Sequence, residues 1–503
     1  MAPRPGPSTP LPSGLIDHAK PAPFPFGPTT LADILVDGLA EHPERLALID
    51  GDRAWTWAEL DAAVEAAAAN IAVGQVVLWT EPNSAELVVA LLATFRAGGI
   101  WMSTSSQVPE SVDVDARMSR ISSDRAQGDP FGVALVSFTS GTTGVPKSVA
   151  HNEHALLAPG LVSIEVEPPE PGERIGTPLD LRIANIAILG PISALLRGST
   201  FVVMHQRFAA GLASDIAQFG VTRLFAVPTL IFDMVEGHDV APEQLTSLDR
   251  IILGGSGADP AVLSRFADRF GVRPTLSYGL SEAPTGVVRE SLDDPIGSGR
   301  GFALPHVDIV ITDPATGVEV PVGSEGEVCI RPTADGPWAN CWTGTLGYLG
   351  EPDRTAKLFE GGLLHTGDRG VLDADGALSV TGRLSNLIVR GGKNIDPTEL
   401  EAAACVAVGV AEAVAVGIPD DRLGQIVGLA VLLDDGLSFH KGDSEGSIDG
   451  LDQLDINEIV MDIEEETESS VDATMVVSRW PRNAMGKIDR TALIRAFGPE
   501  TRM

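Results

Sequence analysis

The sequence predicts an α/β protein of more than one domain, built mainly on a parallel sheet with helices on both faces. The chain has 503 residues, which is too long for one hydrophobic core. Strand-like runs alternate with amphipathic helices in its first half, as in sheets covered on two faces. Over 300–380 the pattern changes to short strands separated by Gly and Asp turns, which is typical of a β-rich segment.

The alternation begins at 31–50, where an amphipathic helix leads into a strand, and a second helix is predicted over 55–72. The apolar strand VVLWT (76–80) and a helix over 86–99, closed by Gly98, follow. Further elements of the same kind are predicted at 199–204, 212–219, 223–227 and 250–255. After about 386 the alternation resumes in a shorter form.

Composition excludes several classes of partner. Asp and Glu number 69 against 35 Lys and Arg, a net charge of −34, which disfavours nucleic acid and anionic membrane surfaces. Cys329, Cys341 and Cys405 form no CxxC pair and are predicted to be reduced thiols of a cytoplasmic protein. No uninterrupted apolar run reaches the ~18 residues of a membrane span. The proline-rich segment 1–30 lacks the apolar core of a signal peptide and is predicted to be a loose leader.

The stretch SFTSGTTGVPKS (137–148) has the chemistry of a phosphate-binding loop. It follows the apolar run FGVALV (131–136), but Pro146 before Lys147 breaks the Walker A pattern. Glycines let the backbone turn its N–H groups inward, while hydroxyls and a lysine add donors and positive charge. The predicted phosphate-binding residues are Thr139, Ser140, Gly141, Thr142, Thr143, Gly144 and Lys147.

This loop resembles the signature of the adenylate-forming superfamily, which contains acyl-CoA synthetases, luciferases and the adenylation domains of peptide synthetases. Segments similar to five further motifs occur in the family's order, so that the resemblance covers roughly residues 130–490. These segments are GGSGADP (254–260), SYGLSEA (277–283), LLHTGDRG (363–370), TGRLSNLIVRGGKNIDPTELE (381–401) and PRNAMGKIDR (481–490).

The resemblance implies a large N-terminal domain over 31–384, with a small β-barrel-like subdomain over about 300–382. A hinge at Ser385 would join it to a small, mobile α+β domain over 385–503. The implied reaction has two steps and uses ATP, Mg²⁺ and CoA. A carboxylic acid first becomes an acyl-adenylate with release of pyrophosphate, and a thiol then displaces AMP.

The resemblance also implies roles for single residues. Lys487 would be the catalytic cation that meets negative charge on the α-phosphate. Chemically, Glu282 can hold Mg²⁺, Ser281 can hydrogen-bond a phosphate and Tyr278 can stack on adenine. Asp368 would accept both ribose hydroxyls.

Other residues complete the predicted nucleotide and CoA sites. Arg383 is a predicted phosphate or ribose contact. The loop residues expected to contact the nucleotide are Gly257, Ala258, Asp259 and Gly279. The turn expected to line a pantetheine tunnel comprises Gly391, Gly392 and Lys393.

The expected substrate is a small-molecule carboxylic acid without an amino group: fatty, aryl or terpenoid-like. Peptide-synthetase domains carry an Asp for that amino group early in the segment matched here by LFAVPTLIFDMVE (224–236), where this chain has no carboxylate before Asp233. Leu181 stands where the family often has an aromatic or His gate. The predicted acyl-pocket residues are Leu181, Val227, Gly254, Gly255, Ser256 and Ala283.

The sequence leaves three alternatives to a complete acyl-CoA ligase. The acceptor could be an acyl carrier protein instead of CoA. The enzyme could perform only one half-reaction, because Ser385 and Asn386 depart from the family's hinge pattern. The chain could also be a non-catalytic nucleotide-binding relative, against which the retention of Lys147, Glu282 and Lys487 argues.

Overall fold

The computed structural model describes most of the chain. The described residues are 14–16, 18, 20–104, 130–139, 147–237, 239–255, 257–407, 409–420, 422–433, 456–467, 469–482 and 488–498. The chain divides into two compact units. The N-terminal unit comprises the residues up to Thr366 together with Gly370–Val380, and the C-terminal unit comprises Gly367–Arg369 and the residues from Thr381 onward.

The N-terminal unit is built on a 13-stranded sheet with the order β14-β15-β17-β18-β13-β12-β11-β10-β9-β7-β8-β1-β2. Strands β1, β8, β7, β9, β10 and β11 are parallel neighbours. The bounds in this sheet are β1 (Leu46–Asp50), β2 (Arg53–Thr56), β7 (Arg174–Thr177), β8 (Thr200–Val203), β9 (Arg223–Ala226), β10 (Arg250–Leu253), β11 (Pro274–Tyr278), β12 (Val288–Glu290), β13 (Arg300–Ala303), β14 (Val307–Thr312), β15 (Glu325–Pro332), β17 (Leu364–Leu372) and β18 (Leu378–Arg383).

Helices cover both faces of the parallel part, as alternating side chains show. Leu224 and Ile251 belong to one buried cluster, whereas their chain neighbours Phe225 and Ile252 belong to another. Each strand therefore buries side chains on both faces, which explains its nearly continuous apolar sequence. The α-helices described in this unit are Val36–Glu41, Trp57–Ala68, Ala85–Arg96, Glu153–Val166, Ala184–Ala187, Ser193–Leu196, Ala209–Phe219, Pro228–Glu236, Pro260–Phe270 and Pro352–Leu358.

The predicted β-rich segment continues the same sheet with antiparallel strands. Strand β12 pairs antiparallel with β11 and β13, and β14 pairs antiparallel with β15. The boundary between the two units passes through β17 and β18, because Gly367–Arg369 and the residues from Thr381 onward belong to the C-terminal unit.

A second sheet of the N-terminal unit has five strands in the order β16-β6-β5-β4-β3. Strands β3 to β5 are parallel, and β6 is antiparallel to both β5 and β16. The bounds are β3 (Val76–Trp79), β4 (Ile100–Ser103), β5 (Val133–Thr139), β6 (Lys147–Asn152) and β16 (Gly347–Tyr348).

The C-terminal unit contains a third, mainly antiparallel sheet between two apolar clusters. Its order is β20-β19-β22-β21, with β23 parallel to β22. Leu429 packs in one cluster and Ala430 in the other, so both faces are again buried. The bounds are β19 (Ile388–Arg390), β20 (Lys393–Ile395), β21 (Val410–Asp420), β22 (Gly424–Leu433) and β23 (Ala473–Val477), with helices Pro397–Val406, Ile456–Thr467 and Arg490–Ala496.

The predicted α/β class, with a parallel sheet and a β-rich segment, is confirmed. One local difference is the helix predicted from residue 55, which begins at Trp57 because Arg53–Thr56 form β2. The Thr56 side chain caps the helix by accepting from the Glu59 backbone N–H, while Glu59 accepts from the Thr56 backbone in return. Among the described residues, no helix is long and apolar enough to cross a bilayer.

Candidate active site

Three parallel strands bring predicted site residues to one edge of the large sheet. The register pairs Leu253 of β10 with Ala226 of β9 and with Leu276 of β11, so the carboxyl ends of these strands are level. Val227 and Gly254 follow β9 and β10 directly, and Tyr278 ends β11. Ligands of open α/β sheets bind at this edge, in the crevice beyond the carboxyl ends of the strands.

The turn after β10 leads into a helix. Gly255 has a φ of +95°, a conformation that side-chain-bearing residues rarely adopt. Ser256 lies outside the described residues. Asp259 caps the helix Pro260–Phe270, because its carboxylate accepts from the Ala261 backbone N–H at 2.8 Å. Asp259, predicted as a nucleotide contact, therefore also has a structural role.

The loop after β11 is closed tightly and carries Ser281 and Glu282. The Val287 N–H donates to the Tyr278 carbonyl at 3.0 Å, across the base of the loop. A Cβ on Gly279 would lie 2.8 Å from the Gly286 nitrogen, so only glycine fits there. Ala283 is fully buried, whereas Ser281 and Glu282 are partly exposed. The loop thus anchors itself through Ala283 and leaves the two polar side chains accessible.

The predicted phosphate loop connects β5 to β6. Thr139, at the end of β5, pairs with Lys147, at the start of β6. Residues 140–146, which include the predicted contacts Ser140, Gly141, Thr142, Thr143 and Gly144, lie outside the described residues. The strand pairing holds both ends of this seven-residue connection together.

A residue that sequence analysis did not single out, Tyr348, lies between two predicted site residues. Its hydroxyl donates a hydrogen bond to the Glu282 carboxylate at 2.7 Å, and the Lys147 Nζ lies 5.2 Å from the centre of its ring. Burial, followed by the negative charge of Glu282, raises the pKa of Tyr348 well above its ordinary value. The phenol therefore remains protonated and acts as a donor.

The donor set around Glu282 fits a magnesium ion bound together with a nucleotide. Mg²⁺ is usually held by one or two carboxylates, with substrate phosphates and waters as its other ligands. Oε1 of Glu282 accepts from Tyr348, which leaves lone pairs of the carboxylate for a metal. The Glu282 carboxylate and a partly exposed Ser281 hydroxyl are hard oxygen ligands of the preferred kind.

Two residues predicted to contact the nucleotide form an ion pair within the C-terminal unit. The Arg383 Nε lies 2.9 Å from Oδ1 of Asp368. Asp368 is 4% exposed, whereas the Arg383 side chain is 55% exposed. The pair combines a buried acceptor with an accessible cation, which suits a ligand that carries both hydroxyls and phosphate.

The remaining predictions for the C-terminal unit fall on a turn, a short helix and an undescribed segment. Gly391 and Gly392 have φ values of +58° and +88° and join β19 to Lys393 in an exposed turn. Ser385 is exposed in a single 3-10 turn over Leu384–Asn386. Lys487 lies outside the described residues, in the gap between Arg482 and Ile488, which themselves form an isolated β-bridge.

The predicted acyl-pocket residues differ in exposure. Leu181 is 1% exposed and belongs to a large apolar cluster, and its backbone N–H donates to Oδ1 of Asn83. Val227 is partly exposed at the start of the helix Pro228–Glu236. Asp233 is exposed on that helix, whereas Leu230 and Met234 are buried.

A cluster of metal-ligand type lies on β15 and β17, outside the predicted site. Ligand atoms of Glu327, Cys329 and His365 lie within 4.8 Å of one another. The His365 ring already has two hydrogen-bond partners, since Nδ1 lies 2.9 Å from Glu327 and Nε2 lies 3.1 Å from the Glu360 carbonyl. Hydrogen bonds to Cys329 and Glu327 raise the pKa of His365 to about 10, against the effect of burial. The cluster is therefore satisfied as an imidazolium bound to a carboxylate.

Comparison with known proteins agrees with the motifs. Residues 36–111 and 103–334 match the family described as AMP-binding enzyme. A feruloyl-CoA synthase of Amycolatopsis sp. is 29% identical over 443 residues, which is 78% of this chain and 87% of that protein. The fatty acid–[acyl-carrier-protein] ligase ScoC of Streptomyces coeruleorubidus is 32% identical over 58% of this chain and 56% of its own length.

The fold is also found among solved structures. ATP-bound MatB from Rhodopseudomonas palustris superposes with a TM-score of 0.78 at 22% identity, covering 95% of this chain and 100% of that one. The predicted adenylate-forming resemblance and its acyl-CoA synthetase branch are thereby confirmed, and the predicted function agrees with these relatives. The chain belongs to the AMP-binding enzyme family.

Proposed function

We propose that this protein is an AMP-forming acid–thiol ligase that activates a carboxylic acid with MgATP and transfers the acyl group to CoA. The observation that carries this proposal is the position of Tyr348. One tyrosine side chain contacts both Lys147, at the end of the predicted phosphate loop, and Glu282, the predicted metal ligand. A cation for phosphates and a carboxylate for Mg²⁺ are thus held side by side, as a bound MgATP requires.

In the proposed first step, a carboxylate oxygen of the substrate attacks the α-phosphorus of ATP. The bond between that phosphorus and the bridging oxygen breaks, which gives acyl-AMP and pyrophosphate. Lys147 and the backbone donors of its loop hold the β- and γ-phosphates, and Tyr278 stacks on the adenine. Asp368 accepts from the ribose hydroxyls, and Lys487 neutralises charge that develops on the α-phosphate oxygens.

In the proposed second step, the sulfur of CoA attacks the acyl carbonyl carbon. The carbon–oxygen bond to AMP breaks, AMP leaves, and the thiol proton passes to solvent. The exposed glycine turn at Gly391 and Gly392 lets a narrow pantetheine arm approach the backbone, because neither residue has a side chain in the way.

The proposed acid lacks a positively charged amino group and is hydrophobic or aryl. Asp233, the carboxylate in the segment where peptide-synthetase domains place theirs, lies on the exposed side of its helix. The partly exposed side chain at the head of that helix is the apolar Val227. The named activity of the feruloyl-CoA synthase relative is consistent with an aryl acid.

The direct test supplies MgATP with a panel of fatty, aryl and terpenoid acids. Pyrophosphate release reports the first step, and mass spectrometry of acyl-CoA reports the second. We expect both products with at least one apolar acid, and neither product with Lys487→Ala. Absence of pyrophosphate with every acid would favour a non-catalytic relative and contradict the proposal.

The alternative acceptor is the phosphopantetheine of an acyl carrier protein, which one relative uses by name. The same assay with a holo-carrier protein in place of CoA distinguishes the two acceptors. Pyrophosphate release with a thioester formed only on the carrier would establish that alternative. Pyrophosphate release with neither thioester would indicate an enzyme of one half-reaction.

A further inference from the structure

We infer that Tyr348 is a positioning residue that fixes the Glu282 carboxylate for the magnesium ion of MgATP. This inference rests on the proposed function and assigns a role to a residue outside the motifs. It depends on four features of the N-terminal unit: the contact with Glu282, a second bond to the same residue, the rigidity of Tyr348 and its contact with Lys147.

Both the backbone and the side chain of Glu282 are hydrogen-bonded to one short segment. Besides the bond from the Tyr348 hydroxyl to Oε1, the Thr345 backbone N–H donates to the Glu282 carbonyl at 2.8 Å. The backbone and the side chain of Glu282 are thereby attached to residues only three positions apart. These two bonds restrain a partly exposed glutamate that has three side-chain torsions. Binding of a metal ion therefore costs less side-chain entropy than it would with an unrestrained glutamate.

Tyr348 itself has little freedom to move. It is 5% exposed, its backbone N–H donates to Oγ1 of Thr355 at 3.0 Å, and it pairs with Val149 of β6. A Cβ on the preceding Gly347 would lie 2.2 Å from Cγ2 of Thr355, so the backbone before Tyr348 packs closely against the Thr355 side chain. The phenol therefore presents its donor from a fixed point.

The same ring also lies beside a positive charge. The Lys147 Nζ lies 5.2 Å from the ring centre, within the range of a cation–π interaction. The Arg354 guanidinium lies 5.6 Å from the ring centre. The hydroxyl and the ring thus have separable tasks, because the hydroxyl orients the carboxylate for the metal and the ring orients the ammonium for phosphate.

The test measures nucleotide affinity by calorimetry, with Mg²⁺ and with EDTA, on the full chain. We expect wild-type protein to bind MgATP more tightly than metal-free ATP. The ratio of the affinity for MgATP to the affinity for metal-free ATP is the magnesium-dependent gain. Tyr348→Phe keeps the ring and loses only the hydroxyl, so this gain should fall about tenfold, as for the loss of a hydrogen bond to a charged group. Its affinity for ATP in EDTA should be unchanged, whereas Tyr348→Leu should weaken binding in both conditions.

Two further variants distinguish positioning from a general structural effect. In a Glu282→Ala background, Tyr348→Phe should have no additional effect on the magnesium-dependent gain, because the partner of the hydroxyl is absent. Arg354→Gln, which changes another neighbour of the ring, should leave that gain at the wild-type value. Thermal unfolding of each variant confirms that it is folded.

The outcomes separate this inference from the proposed function. If wild-type protein binds ATP with a magnesium-dependent gain and Tyr348→Phe retains it in full, the positioning role is wrong and the proposed function stands. An equal loss for Tyr348→Phe with and without Glu282 would also overturn it. If wild-type protein binds no ATP at all, the proposed function fails, and this inference fails with it.

Discussion

Asp368 and Arg383 come from two separate predicted segments, and they form one ion pair in the C-terminal unit. The predicted contact of each residue with the nucleotide rests on a short and common motif. Both contacts stay predictions. In the structure the buried Asp368 carboxylate has the partner that a buried charge needs, and the Arg383 side chain is 55% exposed.

The predicted ribose contact can be tested with a change on the ligand as well as on the protein. Asp368→Ala should raise KM for ATP by roughly 10–100-fold, because hydrogen bonds to a charged acceptor are lost. For wild-type enzyme, 2′-deoxy-ATP should already show part of this loss, and the variant should discriminate less between the two nucleotides. Steady-state pyrophosphate release measures both. Equal discrimination in variant and wild type would contradict the ribose contact.

His365 provides a prediction about pH and stability. Its folded-state pKa is raised from 6.5 to about 10, so the folded state binds the proton more tightly than the unfolded state does. The resulting stabilisation is fully present below about pH 6.5 and is lost as pH rises toward 10. His365→Gln cannot titrate. Its free energy of unfolding should therefore be lower than that of wild type at pH 6, by about 2 kcal/mol, with a smaller difference at pH 10.

Urea unfolding of the two proteins at both pH values measures this difference. Other groups titrate over the same range, and they cancel because the comparison is between wild type and variant at each pH. A difference that is independent of pH would show that folding does not raise the pKa of His365.

Elements with a strong local signal were predictable from sequence, whereas contacts between distant elements were not. The helix expected at 86–99 is Ala85–Arg96, and Thr56 and Glu59 have the spacing of a capping box. Tyr348 carried no comparable signal, because its partner Glu282 lies 66 residues away along the chain. Their contact depends on β16 pairing with β6, and local periodicity does not encode that pairing.

The turn before Tyr348 is an element whose geometry allows a matched pair of substitutions. Gly347 has a φ of +112°, and an added Cβ would lie 2.2 Å from the Thr355 side chain. Gly350 also has a positive φ, +77°, but no atom within 4 Å of such a Cβ. Gly347→Ala should therefore lower the free energy of unfolding by about 2–4 kcal/mol, from backbone strain plus overpacking. Gly350→Ala should cost only about 1 kcal/mol, from strain alone.

Denaturant unfolding of both variants measures these costs. Because Gly347 precedes Tyr348, its variant should also bind MgATP more weakly than the Gly350 control does. Equal destabilisation of the two variants would mean that the Thr355 side chain moves aside at little cost.

At the scale of the whole molecule, the division into two units separates residues of different predicted tasks. The contacts predicted for MgATP that lie on β11, its following loop and β6 belong to the N-terminal unit, and the glycine turn predicted for pantetheine belongs to the C-terminal unit. The alternation of strands and helices in the N-terminal unit was predictable, because the periodicity of apolar residues indicates which side chains are buried against a sheet. The sequence 434–455, rich in Asp, Gly and Ser, has no such periodicity, and it lies outside the described residues.

If the two half-reactions use different parts of the C-terminal unit, they can be removed one at a time. Lys487→Ala should abolish pyrophosphate release from acid and MgATP, and should still convert chemically prepared acyl-AMP and CoA into acyl-CoA. Gly392→Leu should still release pyrophosphate from acid and MgATP but should not convert acyl-AMP and CoA into acyl-CoA. The reason is that a bulky side chain at this exposed turn would obstruct a pantetheine arm. Its control is Gly376→Leu, at another exposed glycine with positive φ and no atom within 4 Å of an added Cβ. That control carries the same strain and should retain both half-reactions. Loss of both half-reactions in each site variant, with the control intact, would mean that one arrangement of the protein performs both steps.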